Sequence, residues 1–228
     1  MGKADIEFLR YVPIFADLTD VELERITKLG SRKKFSKGGI ILLEKESAAS
    51  MFVIVTGKVK VVRMDEEGRE VILSILGESD FFGEMAILDG QARSATVVAL
   101  NKTEIFVIQR HDFLKLIHSH PIVGIALLRE LTSRLRKADA QIKSLSLKDA
   151  LGRVATVILQ ISDDIGIFRK GRVEIDDLPM QQDLANMAGT SRETVSRTLH
   201  RFIKKGQLQL QGNKLIICDY EQFKQQYT

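Results

Sequence analysis

The apolar positions of this chain change rhythm along its length, and the changes divide it. From Asp5 to about Leu29 they fall at helical spacing, with Phe8, Leu9, Val12, Ile14, Phe15 and Leu18 as the apolar set. Thr19-Asp20-Val21-Glu22 reads as a capping box for a helix carrying Leu23 and Ile26. From Arg32 to Gln109 the texture is β. Strand-like runs cover Ile40–Leu43, Met51–Val55, Val59–Val62, Val71–Leu73, Ala95–Val98 and Ile105–Ile108. Gly38-Gly39, Gly57, Asp65–Gly68, Gly77 and Asn101-Lys102 punctuate them at turn spacing. Many short strands at such intervals predict an antiparallel sandwich or barrel, and a small jelly roll fits the length.

The pattern then turns helical. His111 to His118 predicts a short helix; His118 and His120 sit two apart, do not share a helix face, and are read as surface residues rather than a metal pair. Pro121 to about Leu147 predicts one helix roughly 40 Å long. Pro121 suits its first turn, and past Gly124 it contains neither Gly nor Pro. Leu128, Leu135 and Ile142 fall seven apart, and Leu131, Ala138 and Leu145 follow each by three. That a/d seam predicts pairing with a copy of the same helix, hence a homodimer; the competing reading buries the helix against its own domain. Ala138 is small where a Leu would pack, which leaves room at the dimer axis.

Past the long helix, Asp149 is a good N-cap for a helix from Ala150 to about Ile161 that buries Leu151, Val154, Val157, Ile158 and Ile161. Asp163–Gly171 reads as a loop and Arg172–Ile175 as a strand. Gln181 to Leu199 reads as helix, tight turn at Gly189, N-cap at Ser191 and a second helix to about Lys205, a helix-turn-helix signature. Val195, Leu199 and Phe202 would face the core. Arg192, Glu193, Ser196, Arg197, His200 and Arg201 are the candidate DNA contacts, with Lys204 on the same face. Five Arg or Lys against one Glu between Ser191 and Lys205 is the electrostatic footprint of phosphate binding. Gln207–Leu210 and Leu215–Cys218 predict a hairpin placed as a wing.

Composition narrows the class. At 228 residues the chain is long enough for two domains, and its +4 net charge and pI of about 9.1 permit a nucleic-acid partner. One cysteine, Cys218, excludes an intrachain disulfide and an iron–sulfur cluster ligated by a single chain's cysteines. No eighteen-residue apolar run occurs, and Met1–Pro13 lacks a signal pattern, so a cytoplasmic protein without a membrane span is expected.

One segment, Phe82 to Ala95, breaks the strand rhythm. Gly83 opens a helical turn of Glu84, Met85, Ala86, Ile87 and Leu88, and Arg93-Ser94 stands at the entry of the next strand. A short helix's first-turn N–H groups favour an anion, and a glycine there lets a ligand approach the backbone. Arg93 offers a forked cation for phosphate oxygens and Ser94 a hydroxyl beside it. Glu84, ill placed beside a phosphate, makes sense as an acceptor for a sugar hydroxyl. A phosphate and a ribose held by a β-roll amount to a nucleotide. The competing reading leaves Glu84 and Arg93 exposed on a surface turn. No nucleophile–base pair, metal triad or paired catalytic carboxylate accompanies the segment, so no enzyme is expected; a plain nucleotide-binding module would leave the helix-turn-helix unexplained.

The order of β-roll, phosphate turn, long helix and winged helix-turn-helix resembles the cyclic AMP receptor protein/FNR (Crp/Fnr) family of bacterial transcription regulators. The resemblance spans essentially the whole chain and is most specific at Phe82–Val97 (FGEMAILDGQARSATV) and Ser191–Arg197 (SRETVSR). It implies an α+β chain of three parts: a cyclic-nucleotide-binding-like β-roll at 1–110, a short helix with the dimerisation helix and hinge at 111–148, and a winged helix-turn-helix at 149–228. It assigns Gly83, Glu84, Met85, Arg93 and Ser94 to a cyclic nucleotide, and Arg192, Glu193 and Arg197 to base edges of TGTGA-like half-sites in double-stranded DNA. RNA polymerase is the further partner it implies. No metal, haem or iron–sulfur cluster is expected.

Two departures stand out. Where the family's cyclic AMP receptor carries adjacent Thr and Ser on the long helix, this chain has Ala138-Asp139. An ionised Asp139 only accepts, and a carboxylate matches guanine's paired donors better than adenine's amino group. Cyclic AMP is therefore expected with cyclic GMP, cyclic di-GMP, or no nucleotide as competitors. Lys45 replaces the Gly usual at its turn and is read as changing a surface loop and nothing more.

Overall fold

The computed structural model describes residues 3–47 and 49–227. Contacts group the chain into two units, one running to Arg63 and then over Leu76–Arg136, the other holding Met64–Ile75 and the residues from Lys137 on. The boundary falls inside the long helix.

In the first unit, helices α1 (Lys3–Arg10) and α2 (Asp20–Leu29) flank a 3-10 turn at Pro13–Phe15. Strands β1 (Gly30–Phe35), β2 (Ile40–Leu42), β3 (Ser50–Thr56) and β4 (Val59–Met64) follow; after β5 (Glu70–Leu76), which up to Ile75 is grouped with the second unit, come β6 (Phe81–Phe82), the six-residue helix α3 (Glu84–Asp89), β7 (Thr96–Ala99) and β8 (Thr103–Gln109). Helix α4 (Arg110–Ser119) leads into α5 (Pro121–Leu147), one 27-residue element as its composition predicts. One sheet has the order β1-β8-β3-β6, and a second holds β2, β7 and β4 in that order. All these pairings are antiparallel.

Strands β3 and β8 are buried on both faces, which is why their sequences run apolar without alternating. Phe52 and Ile54 of β3 point into the roll with Val59, Phe82 and Val97; Met51 and Val53 point the other way, onto Leu9, Ile26, Phe113, Val123 and Leu127 of the helices. Strand β1 escaped the hydrophobic pattern. Its GSRKKF lies at a sheet edge with four exposed positions, so no apolar alternation marks it, and Arg32 pairs with Glu104 of β8 at 2.8 Å. His120 also departs from expectation. It is half-buried at the α4–α5 corner, with Nε2 3.0 Å from the Glu22 carboxylate, whereas His118 is exposed with Nδ1 2.7 Å from the Leu114 carbonyl.

The second unit continues from α5 into α6 (Ala150–Ile165), β9 (Ile167–Arg169), β10 (Arg172–Ile175), α7 (Gln181–Ala188), α8 (Arg192–Lys204), β11 (Leu208–Gln211), β12 (Lys214–Ile217) and α9 (Tyr220–Tyr227). Its sheet order is β11-β12-β10-β9. Asp149 caps α6 by accepting the Gly152 N–H at 2.8 Å, and Ser191 caps α8 by accepting from Thr194 at 3.2 Å. The expected loop at 163–171 is instead the last turn of α6 and the exposed edge strand β9; Leu151 is half-buried. Helix α9, mostly polar in sequence, is held by Phe223 packing edge-on against Phe202 at 5.3 Å.

Candidate functional site

Both charged residues of the phosphate turn are buried, Glu84 to 3% and Arg93 to 5% exposure, so the surface-turn reading fails. Gly83 stands just before α3 at φ +81°, a conformation L side chains avoid. A Cβ there would come within 2.8 Å of Arg93 Nη1 and 3.2 Å of the Phe52 ring. Arg93 donates from Nη1 to the Gly83 carbonyl at 2.7 Å and from Nη2 to the Ser50 carbonyl at 2.6 Å, tying α3 to β3. Its guanidinium lies 5.6 Å from the Phe52 ring, itself stacked on Phe82 at 5.2 Å.

No carboxylate among the described residues lies within ion-pair distance of Arg93. Burial pushes its pKa down, partly offset by the more distant charges of Glu84 and Glu46. An ion held this way is costly unless something anionic completes its shell. The residues present fit a phosphate for that reason, with donors of the planar fork remaining beyond the two carbonyls. Ser94 and Met85 are exposed beside it, the Ser94 hydroxyl 3.8 Å from the Met85 sulfur.

Glu84 has a protein partner that pattern reading missed. Arg134 of α5 donates from Nη1 to Glu84 Oε1 at 3.0 Å and from Nη2 to the Phe81 carbonyl at 2.6 Å, with its guanidinium 4.5 Å from the Phe81 ring. In sequence Arg134 stands four after Glu130, the default pairing along an exposed helix face. Only its adjacency to the seam residue Leu135 hinted at another direction. Lys45 needs correcting as well: it holds φ +70°, its N–H bonds the Arg93 carbonyl at 2.9 Å, and the Arg93 N–H returns to Glu46 at 2.9 Å. The loop it changes braces Arg93 directly.

Ala138 and Asp139 lie exposed on the part of α5 that belongs to the second unit. Along α5, Leu128, Leu135 and Ile142 are 66%, 63% and 63% exposed, an apolar stripe left open to solvent among the described residues; Leu145 is also exposed. Leu131 is half-buried against the first unit's own core and, with Leu88, Ile117, Pro121 and Leu128, lines a groove of about 480 Å³.

In the helix-turn-helix, Val195, Leu199 and Phe202 are buried as predicted, and Arg192, Glu193, Arg197, His200 and Arg201 are exposed, with Ser196 half-buried. One helix face thus anchors α8 and the other carries cations and one carboxylate to solvent. Among the described residues, no cluster of three His, Cys, Asp or Glu forms a metal site, and no helix is long and apolar enough to cross a membrane.

The sequence matches the cyclic nucleotide-binding domain family over residues 32–120 and the Crp-like helix-turn-helix domain family over residues 152–226. It is 31% identical over 215 residues to the CRP-like cAMP-activated global transcriptional regulator of Mycobacterium tuberculosis, covering 94% of this chain and 96% of that one. It is 34% identical over 198 residues to the cyclic AMP receptor protein of Thermus thermophilus, covering 87% and 88%. Among solved structures, FixK2 from Bradyrhizobium japonicum superposes with a TM-score of 0.76 at 24% identity, over 86% of this chain and 96% of that one.

Proposed function

The chain belongs to the Crp/Fnr family of transcription regulators, and from that premise we propose that it is a homodimer whose DNA binding is gated by a cyclic nucleotide, cyclic AMP first. The observation that supports this most is Arg93, a buried cation whose guanidinium bonds, among the described residues, two carbonyls beside the left-handed Gly83. The phosphate binds there, Glu84 takes a ribose hydroxyl with the carboxylate oxygen Arg134 does not hold, and Met85 and Ser94 border the site. Two α5 helices pair along Leu128, Leu131, Leu135, Ala138, Ile142 and Leu145. Asp139, one residue past the small Ala138, meets the base from this seam.

Ligand binding resets the hinge after α5, and the two α8 helices reach successive major grooves, about 34 Å apart. Arg192 and Arg197 read guanine edges and Glu193 a cytosine amino group, with Ser196, His200 and Arg201 beside them on the DNA. RNA polymerase is the downstream partner, in the cytoplasm.

Calorimetric titration of the full-length protein with cyclic AMP, cyclic GMP and cyclic di-GMP tests this, alongside Arg93→Leu. Heat with cyclic AMP that vanishes in Arg93→Leu supports the assignment. A preference for either guanine ligand makes Asp139 the specificity residue and replaces cyclic AMP as effector. No heat with any of the three, or undiminished affinity in Arg93→Leu, overturns the pocket.

A further inference from the structure

Resting on the gated-binding reading, we infer that Arg153 is the residue through which the end of α5 positions the turn of the helix-turn-helix. Its guanidinium makes three bonds to carbonyls from two separate places in the chain. Nε donates to Ala188 O at 2.8 Å, Nη2 to Gly189 O at 3.2 Å, and Nη1 to Lys148 O at 3.1 Å. Ala188 ends α7 and Gly189 is the turn before α8; Lys148 is the first residue past α5. A helix C-terminus leaves carbonyls without intrahelical partners and carries partial negative charge. One cation therefore serves the C-terminal ends of α5 and α7 together. Its planar fork has fixed donor directions, so the two ends are held in one mutual geometry, which a lysine's single ammonium does not impose.

A second contact joins the same two places. A Cβ at Gly189 would stand 3.1 Å from Leu145 Cδ2, so the turn's backbone lies directly against the last seam residue of α5. The junction itself is fastened: Asp149 caps α6, and Lys148 Nζ donates to Thr156 Oγ1 at 2.9 Å and to the Tyr227 carbonyl. A change in how α5 ends moves Lys148 O. Through Arg153 that displacement reaches the carbonyls from which α8 departs.

The test is fluorescence anisotropy of full-length wild type, Arg153→Met and Arg153→Lys on a palindromic TGTGA-type duplex, with and without saturating cyclic AMP. Coupling predicts that the ratio of the two affinities falls in Arg153→Met by roughly tenfold. Arg153→Lys, which reaches one carbonyl, lies between Arg153→Met and wild type. A purely structural role would lower both affinities together and leave the ratio unmoved; a wild-type ratio in either variant overturns the inference. If Arg153→Met does not fold, Arg153→Lys decides by the same ratio. If wild type itself does not respond to cyclic AMP, that gating reading falls separately, and amide hydrogen exchange on Arg153→Lys decides the coupling. Protection lost together at 148–153 and 189–194 supports it, and loss at one segment alone or at neither overturns it.

Discussion

Replacing Gly83 with alanine separates two effects that the structure places on one atom. The residue holds φ +81°, and a Cβ added there meets Arg93 Nη1 at 2.8 Å. Left-handed backbone costs a non-glycine residue about 1–2 kcal/mol. Forcing a buried, hydrogen-bonded guanidinium aside adds about 1–3 kcal/mol, the usual range for an overpacked interior. Gly90 is the built-in control: it has φ +72° at the other end of α3, but nothing lies within 4 Å of its Cβ position. Gly90→Ala should therefore show the backbone term alone. Urea unfolding of both variants should differ by about 1–3 kcal/mol, with Gly83→Ala the weaker. Displacing Arg93 also weakens a charge-assisted bond to phosphate worth about 1.5–3 kcal/mol, so its dissociation constant for cyclic AMP should rise roughly ten- to hundredfold. Gly90→Ala should bind as wild type does. Equal destabilisation in the two variants, with affinities within about twofold of each other, would refute both the clash and the role given to Arg93.

Lys45→Gly relieves a left-handed lysine at φ +70° and should raise the unfolding free energy by about 0.5–1 kcal/mol, read by urea melts. Leu135→Asp puts a charge into the exposed stripe of α5; sedimentation should show monomers with unchanged circular dichroism, and persistent dimers would exclude the seam. Arg192→Ala should cost about 1–3 kcal/mol on a TGTGA-type duplex and much less when the contacted guanine is changed, whereas equal weakening on every duplex would reduce Arg192 to a phosphate contact. Glu22, Glu104 and Glu174 titrate below the ordinary value of 4.5, each held chiefly by a side-chain hydrogen bond, from Thr19, Arg32 and Lys214 in turn. The folded state thus binds fewer protons than the unfolded one, so their contribution is complete above about pH 4.5 and is lost as pH falls through the lowered values. Acid titration of the unfolding free energy should show that decline, and stability constant down to pH 3 would contradict it.

Much of the fold is legible in one dimension because local order carries it. The apolar runs of β3 and β8, the uninterrupted α5, the Asp149 and Ser191 caps and the turn at Gly189 each follow from residue type and spacing. The elements that escaped, β1, β9 and α9, are polar or lie at an edge: β1 takes its ladder partner from the distant β8, β9 pairs with the adjacent β10, and α9 is held by the packing of Phe223 on Phe202. The candidate ligand residues were legible as a set, Gly83 and Glu84 with Arg93 and Ser94, since phosphate chemistry restricts the side chains that serve it. Their actual bonds were not. Spacing places Arg134 four residues after Glu130 and names no partner across the fold; only tertiary packing, which brings α5 over Phe81, gives it to the buried Glu84. Lys45 looked incidental until its backbone was found bonded to Arg93, and Arg153 is an unremarkable helical cation until three carbonyls converge on it. Periodicity and capping act within a few residues and so are written in the sequence. Which carbonyl or carboxylate satisfies a buried cation is decided by whichever distant group the fold brings within about 3 Å.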